Sequence, residues 1–227
     1  LGSDGTVGAN KSACQIIGDH AGYHVQAYFS YDSKKSGGTT ISHLRFGKEP
    51  ILSSYLVYDA DYIACHNKSF LNQYDLIEGL KPGGVFVLNC DFSPETIEQE
   101  LPGALRRRLA RDGVRFYIID AERIASELGL GNRINMIMQA AFFRLIGILP
   151  TGEAAALLKE SVYTAYGRKG DEIARMNLAA IDRGIDSLVE IDVPAHWAQA
   201  EETEDAPPQN LPAFIADIQR VMARGQG

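Results

Sequence analysis

The sequence has few cysteines, no long apolar run and no excess of positive charge. Its three cysteines, Cys14, Cys65 and Cys90, are far apart, and no C-x-x-C pair occurs. Four thiolates for an iron–sulfur cluster or a zinc ion cannot come from this chain alone. Scattered odd thiols read as a reducing, cytoplasmic compartment rather than a disulfide framework. The most apolar stretch, residues 136–149, is interrupted by Gln139 and Arg144 and is too short to cross a bilayer. No charged-then-apolar leader is present, and the chain opens at Leu1 rather than Met, which reads as a piece of something longer. The 22 basic residues are outnumbered by 29 acidic ones, a net charge of −7. That balance argues against non-specific nucleic-acid binding and against an anionic membrane surface. The five histidines, His20, His24, His43, His66 and His196, lack zinc-type spacing and have no Ser or Cys partner in a recognisable motif. No internal repeat is visible.

What remains is 227 residues, 45% hydrophobic and 22% charged, which suits one domain or one domain with a helical annex. A chain of this length buries roughly 70–75% of the surface it exposes unfolded and needs no staple. Residues 9–21 carry apolar positions at helical spacing after a glycine-rich opening. Residues 24–31 and 39–46 read as strands, separated by the loop 33–38. The short apolar runs 62–65, 85–88 and 114–119 suit buried parallel strands. Helical pieces are expected around 70–79, 94–100 and 103–112. After Asp120 the pattern turns helical, with stripes over 134–149, from Thr151 to Ala165, and over 171–189. An acidic, proline-bearing strap covers 201–208, and a last amphipathic helix covers about 212–223. This alternation predicts a Rossmann-like α/β fold: a mostly parallel sheet flanked by helices, with a helical C-terminal part. Residues 1–120 are read as the α/β core and 121–227 as the mainly helical part. Ligands of such sheets bind outside the carboxyl ends of the strands. The large stripe over 134–149 further predicts that the later helices pack on neighbouring domains or a second subunit.

Two loops offer chemistry. Gly2, Gly5 and Gly8 lead into the first helix, where backbone N–H groups and the positive helix end suit a phosphate. Neither the dinucleotide fingerprint nor the P-loop pattern is met, so a simple strand–helix connection remains the alternative. In Tyr31-Asp32-Ser33-Lys34-Lys35-Ser36-Gly37-Gly38, two lysines among serines and glycines also suit a phosphate; the alternative is a hairpin turn with solvated lysines. This loop is expected at a strand end, on the same edge of the sheet as the first. The run Arg106-Arg107-Arg108, with Arg111 and Arg115, reads as a solvated helix face, because three consecutive helix positions cannot share one side. The cysteines read as small buried hydrophobes, and Asn132, Asn135 and Asn177 as capping or packing residues. No catalytic or metal-ligating residue is assigned.

The segments GSDGTVGANKSACQII, VQAYFSYDSKKSGGTTISHLRFG, ACHNKSFLNQYDLIEGLKPGGVFVLNC, GNRINMIMQAAFFRL and GRKGDEIARMNLAAIDRGI closely resemble one region of pyruvate:ferredoxin (flavodoxin) oxidoreductases. The resemblance covers nearly the whole chain, and the pairing of DGTVGANK with YDSKKSGG is specific to the single-chain pyruvate enzymes. It implies the gamma-type domain (domain III) of an enzyme converting pyruvate and coenzyme A to acetyl-CoA and carbon dioxide, with electrons passed to ferredoxin or flavodoxin. Thiamine diphosphate, Mg and the 4Fe–4S clusters are then implied for other domains, the fragment alone being inactive and binding none of them. Partners implied are those other domains, coenzyme A, ferredoxin or flavodoxin, and a second copy in a full-length homodimer; no nucleic acid and no membrane is expected. By the same resemblance Gly2, Ser3, Asp4, Gly5 and Thr6 line a coenzyme A loop, while Lys34, Lys35 and Ser36 meet its phosphates. The strand that precedes this loop in the family has no counterpart ahead of Gly2. Alternatives are a non-catalytic binding or assembly module of the same fold, and the same domain in an NADP-dependent pyruvate oxidoreductase.

Overall fold

A computed structural model describes residues 6–31, 39–166 and 170–201. Helix α1 (Thr6–His20) is followed by strands β1 (His24–Tyr31) and β2 (Thr40–Gly47), then β3 (Ala60–Cys65) and β4 (Leu80–Asn89). Helices α2 (Ile97–Glu100) and α3 (Gly103–Arg111) lead to β5 (Arg115–Ile119), and α4 (Ala121–Glu127), α5 (Asn135–Ile146), α6 (Thr151–Tyr166) and α7 (Asp171–Asp186) lead to β6 (Val189–Ile191).

The main sheet has the order β3-β4-β5-β6, with β3, β4 and β5 parallel and β6 antiparallel on the edge. Alternation along each strand sends side chains to two cores. Val85, Val87 and Ile119 face α1, α4, α5, α6 and α7. Cys65, Phe86, Leu88, Phe116 and Ile118 face α2, α3, the turns after β3 and the 3-10 turn Ala195–Gln199, whose Trp197 is buried. Phe86 and Phe116 stack with ring centres 5.5 Å apart on that second side. Strands covered on both faces need near-continuous apolar sequence, and Val85–Val87–Leu88 supply it.

Several expectations change in the structure. Strands β1 and β2 do not enter the main sheet: they form a separate antiparallel ribbon, with His24 opposite Gly47 and Tyr31 opposite Thr40. Too few residues join them for a parallel crossover, which needs about a dozen. The segment around 70–79 is not a helix. Only a 3-10 turn, Lys68–Phe70, forms there, and the following turns end at Gly79, whose φ is +73°. A side chain at Gly79 would meet the Tyr58 carbonyl oxygen at 2.2 Å, so this close approach requires glycine. Much of the α5 stripe is covered from within the chain, while Ile134, Phe142, Leu145 and Ile146 stay half-buried. The helix packs in one core with Val85 and Val87 of the sheet and against α1, α6 and α7, and at Gly184 the α7 backbone lies directly on the Ile137 carbonyl. The stripe over 171–189 divides into α7 and the short edge strand β6. The strap 202–208 and the helix expected near 212–223 lie outside the described residues.

Candidate functional site

Helix α1 and strand β1 run in opposite directions. A methyl group at Gly18 would lie 3.7 Å from Val25 Cγ2, and Lys11 Nζ sits 6.0 Å from the centre of the Phe29 ring. The start of α1 at Thr6 and the end of β1 at Tyr31 therefore share one end of this unit. Thr6, the first residue after the glycine loop, is buried there. Thr39, the residue after the double-lysine loop, is also buried, and its Oγ1 donates to Tyr74 Oη at 3.0 Å. Tyr74 packs edge-on to Phe70, which begins the turns beyond the carboxyl end of β3. Of the expected site residues, Thr6 alone is described; Gly2, Ser3, Asp4, Gly5, Lys34, Lys35 and Ser36 lie outside the described residues.

The ground beside these flanks is firmly built. Asn89 ends β4 at 2% exposure; its Nδ2 donates to the His66 carbonyl at 3.0 Å, and its Oδ1 accepts from the Ala121 N–H at 2.9 Å. One amide thus fastens the carboxyl ends of β3 and β4 to the start of α4. Gln139 of α5 is buried, and its Nε2 donates to the Ala9 carbonyl at 3.1 Å, which ties the first turns of α1 to the core. Just past the end of β3, burial pushes the His66 imidazole down to about 3. It is a neutral ring at the strand end.

A cleft of about 230 Å³ opens beyond β4 and β5, lined by Cys90, Asp91, Ser93, Asp120, Arg123 and Ser187 among others. Its charges are mutually paired. Lys68 Nζ stands 2.5 Å from Asp91 Oδ1, a hydrogen bond that holds the Asp91 carboxyl below its usual range, and Arg123 bridges Asp120 and Glu127. Burial pushes the Cys90 thiol up to about 11 and raises that of Cys65, so both stay protonated and behave as the small hydrophobes expected of them. Among the described residues no group of three or more His, Cys, Asp or Glu is arranged to hold a metal ion.

The arginine run has a structural role. Arg106 meets Glu98 at 3.1 Å, Arg107 donates to the Ala200 carbonyl at 2.5 Å, and Arg108 holds Asp75 at 2.9 Å and the Ile77 carbonyl at 2.9 Å. Successive positions reach three different neighbours, as their divergence around a helix requires. Asn177 is a packing residue, its Nδ2 donating to the Ile173 carbonyl at 2.8 Å. Asn89 and Gln139 match no site motif in the sequence. Their signal is a single amide set among apolar residues, in VFVLN and NMIMQAAFF.

No helix among the described residues is long and apolar enough to cross a membrane. Residues 1–187 match the family model described as pyruvate ferredoxin/flavodoxin oxidoreductase. The chain is 53% identical over 220 residues to a pyruvate:ferredoxin oxidoreductase of Moorella thermoacetica, covering 97% of this chain and 19% of that protein. It spans about a fifth of the length of the first curated relatives it matches. A pyruvate oxidoreductase subunit of Thermotoga maritima shares the fold, with a TM-score of 0.64 at 19% identity over 83% of this chain and 92% of that one. A 2-oxoglutarate:ferredoxin oxidoreductase of Magnetococcus marinus, solved with 2-oxoglutarate, coenzyme A and succinyl-CoA bound, matches with a TM-score of 0.57 at 22% identity, over 88% of this chain and 30% of that one. With most of its length matched by the family model and more than half its residues shared with such a relative, the chain belongs to the pyruvate ferredoxin/flavodoxin oxidoreductase family.

Proposed function

We propose that this chain is the coenzyme-A-contacting, gamma-type region of a pyruvate:ferredoxin (flavodoxin) oxidoreductase that converts pyruvate and coenzyme A to acetyl-CoA and carbon dioxide. The observation that carries this reading is the antiparallel pairing of α1 with β1. It brings the flanks of the glycine loop and of the double-lysine loop, Thr6 on one side and Tyr31 and Thr39 on the other, to one end of the unit. The Thr39–Tyr74 bond links that end to the turns beyond β3, on the carboxyl side of the parallel strands where α/β sheets take ligands. Coenzyme A in the Magnetococcus marinus structure is consistent with the same use of the fold.

In this reading the chain binds and orients. Backbone N–H groups of Gly2, Ser3, Asp4, Gly5 and Thr6 meet the nucleotide end, with the positive end of the 15-residue α1 behind them. Lys34 and Lys35 neutralise phosphate charge, and Ser36 donates a hydroxyl hydrogen bond. An acidic chain needs such a local cationic site, since its net charge of −7 repels a polyanion. Residues 1–227 act as one gamma-type region, with 1–120 as the α/β core and 121–227 as the helical part. The 4Fe–4S clusters belong to other regions of a longer polypeptide, because three separated thiols cannot ligate a four-thiolate cluster, and the family resemblance assigns thiamine diphosphate and Mg to those regions too. The isolated chain is accordingly inactive. The assembled enzyme is a cytoplasmic homodimer that hands electrons to ferredoxin or flavodoxin.

Amine labelling of the full-length protein tests the reading. Saturating coenzyme A protects Lys34 and Lys35 from acetylation while leaving Lys48 and Lys159 reactive. Equal labelling of all four, with and without coenzyme A, overturns it.

A further inference from the structure

The apolar surface that this chain leaves uncovered is concentrated in one place. Five of the seven large apolar side chains exposed among the described residues, Tyr28, Ile41, Leu52, Tyr55 and Tyr58, fall between positions 28 and 58. Tyr28 and Ile41 lie on the same face of the β1–β2 ribbon, since Tyr28 is opposite His43, and Ile41 is two residues before His43. Residues 50–58 follow the ribbon, with neither helix nor strand and, in contrast to the chain as a whole, with no charged residue.

This segment is pinned through its backbone. Gln26 Nε2 donates to the Ser53 carbonyl at 2.7 Å, and Arg45 donates to the carbonyls of Tyr55 and Leu56 at 3.2 and 3.3 Å. Arg45 is itself steadied by Gln26 Oε1 at 2.8 Å, and its guanidinium lies 5.0 Å from the Tyr55 ring centre. At the far end the Tyr58 carbonyl is set against Gly79, and the Ala60 N–H donates to the Gly79 carbonyl at 2.7 Å. The attachments use polar groups, and while Ile51, Leu56 and Val57 are half-buried, Leu52, Tyr55 and Tyr58 are left facing out. Leu52 is 93% exposed, Tyr55 64% and Tyr58 68%.

An extended segment held in place while it presents large apolar groups is preorganised for contact, because little ordering entropy remains to be lost on docking. Depletion of charge together with enrichment in tyrosine is the composition of an interface core. We propose that residues 50–58, with the outer face of the ribbon, form the docking surface for another folded region of the same polypeptide, one that presents an apolar, uncharged face. The inference rests on reading the chain as part of a longer protein. The relative from Moorella thermoacetica carries the matching region as 19% of its length, so the remainder of such a chain is tethered beside this surface at high effective concentration. A second copy of the chain has no such advantage.

The test uses the full-length protein with p-benzoylphenylalanine at position 52, a site whose exposure leaves no packing to lose. Irradiation is expected to join position 52 to a peptide outside residues 1–227 of the same chain, and Tyr55→Asp is expected to lower that yield at least tenfold. A crosslink to another copy's residues 1–227 overturns the proposal in favour of self-association. A position 52 that forms no protein crosslink, or a yield untouched by Tyr55→Asp, overturns docking altogether. A protein that crosslinks as expected but whose lysine loop proves indifferent to coenzyme A keeps the docking surface and loses the coenzyme A assignment, so the two fail separately.

Discussion

Replacing Asn89 by Ala removes the amide that joins three carboxyl-edge elements. Two backbone groups lose their partners at once: the part-buried His66 carbonyl, now 3.0 Å from Nδ2, and the buried Ala121 N–H, now 2.9 Å from Oδ1. Each orphaned group costs about 1–3 kcal/mol, giving a loss of about 2–6 kcal/mol before any cavity is counted. For a chain of this size about 1 kcal/mol moves Tm by about 2–4 °C, so the melting point followed by circular dichroism should fall by about 4–24 °C. Asn89→Asp separates the two bonds. It retains an acceptor for the Ala121 N–H but sets a carboxylate against the His66 carbonyl, a repulsion relieved when the acid is protonated and can donate. Its deficit relative to the native chain should therefore shrink as pH falls. An Asn89→Ala chain that melts with the native one would refute the view that this amide fastens the floor of the site.

Gly184→Ala should destabilise, although alanine is normally the better helix former by about 1 kcal/mol. The added methyl would stand 2.5 Å from the Ile137 carbonyl oxygen and 2.9 Å from its Cα, and such overpacking costs about 1–3 kcal/mol. A raised Tm would show that α5 and α7 are not in contact there. For His66, the folded imidazole titrates at about 3 against 6.5 in the unfolded chain. Between those values the unfolded chain binds the extra proton, so this contribution is complete above about pH 6.5 and is lost as pH falls toward 3. His66→Gln should flatten the acid side of the stability profile, and an unchanged slope would assign it to other groups.

Much of the fold is legible in the sequence because its strongest signals are local. The apolar runs at 62–65 and 85–88 lie within β3 and β4, and the striped segment from Thr151 becomes α6. The residue pattern places the double-lysine loop after a strand of the main sheet, yet β1 pairs with β2. Chain length between the two strands decides this, and residue pattern does not. The three-residue β6 is too short for any alternation to register, and its place is set by pairing with β5. The segment around 70–79 has apolar residues at suggestive spacing, but Asn67 and Asp75 side chains cap local turns and Gly79 ends them. The stripe of α5 shows that a face must be covered, but not that this chain's own sheet, α6 and α7 cover it. At the candidate site, glycines and lysines are visible in sequence because their chemistry is intrinsic. Asn89 and Gln139 matter through partners that only the folded chain supplies, as do the exposed Leu52 and Tyr55.

In the proposed function the loops flanked by Thr6, Tyr31 and Thr39 hold the phosphates of coenzyme A. Steady-state kinetics of the full-length enzyme carrying Lys34→Ala and Lys35→Ala test it most directly. Each charge-assisted contact contributes about 1.5–3 kcal/mol, so the apparent KM for coenzyme A should rise by at least about two orders of magnitude while KM for pyruvate stays nearly constant. Added salt should weaken coenzyme A binding more in the native enzyme than in the variant, since screening acts on the charges removed. A variant with the native KM for coenzyme A would contradict the account and leave these lysines as solvated residues of a hairpin.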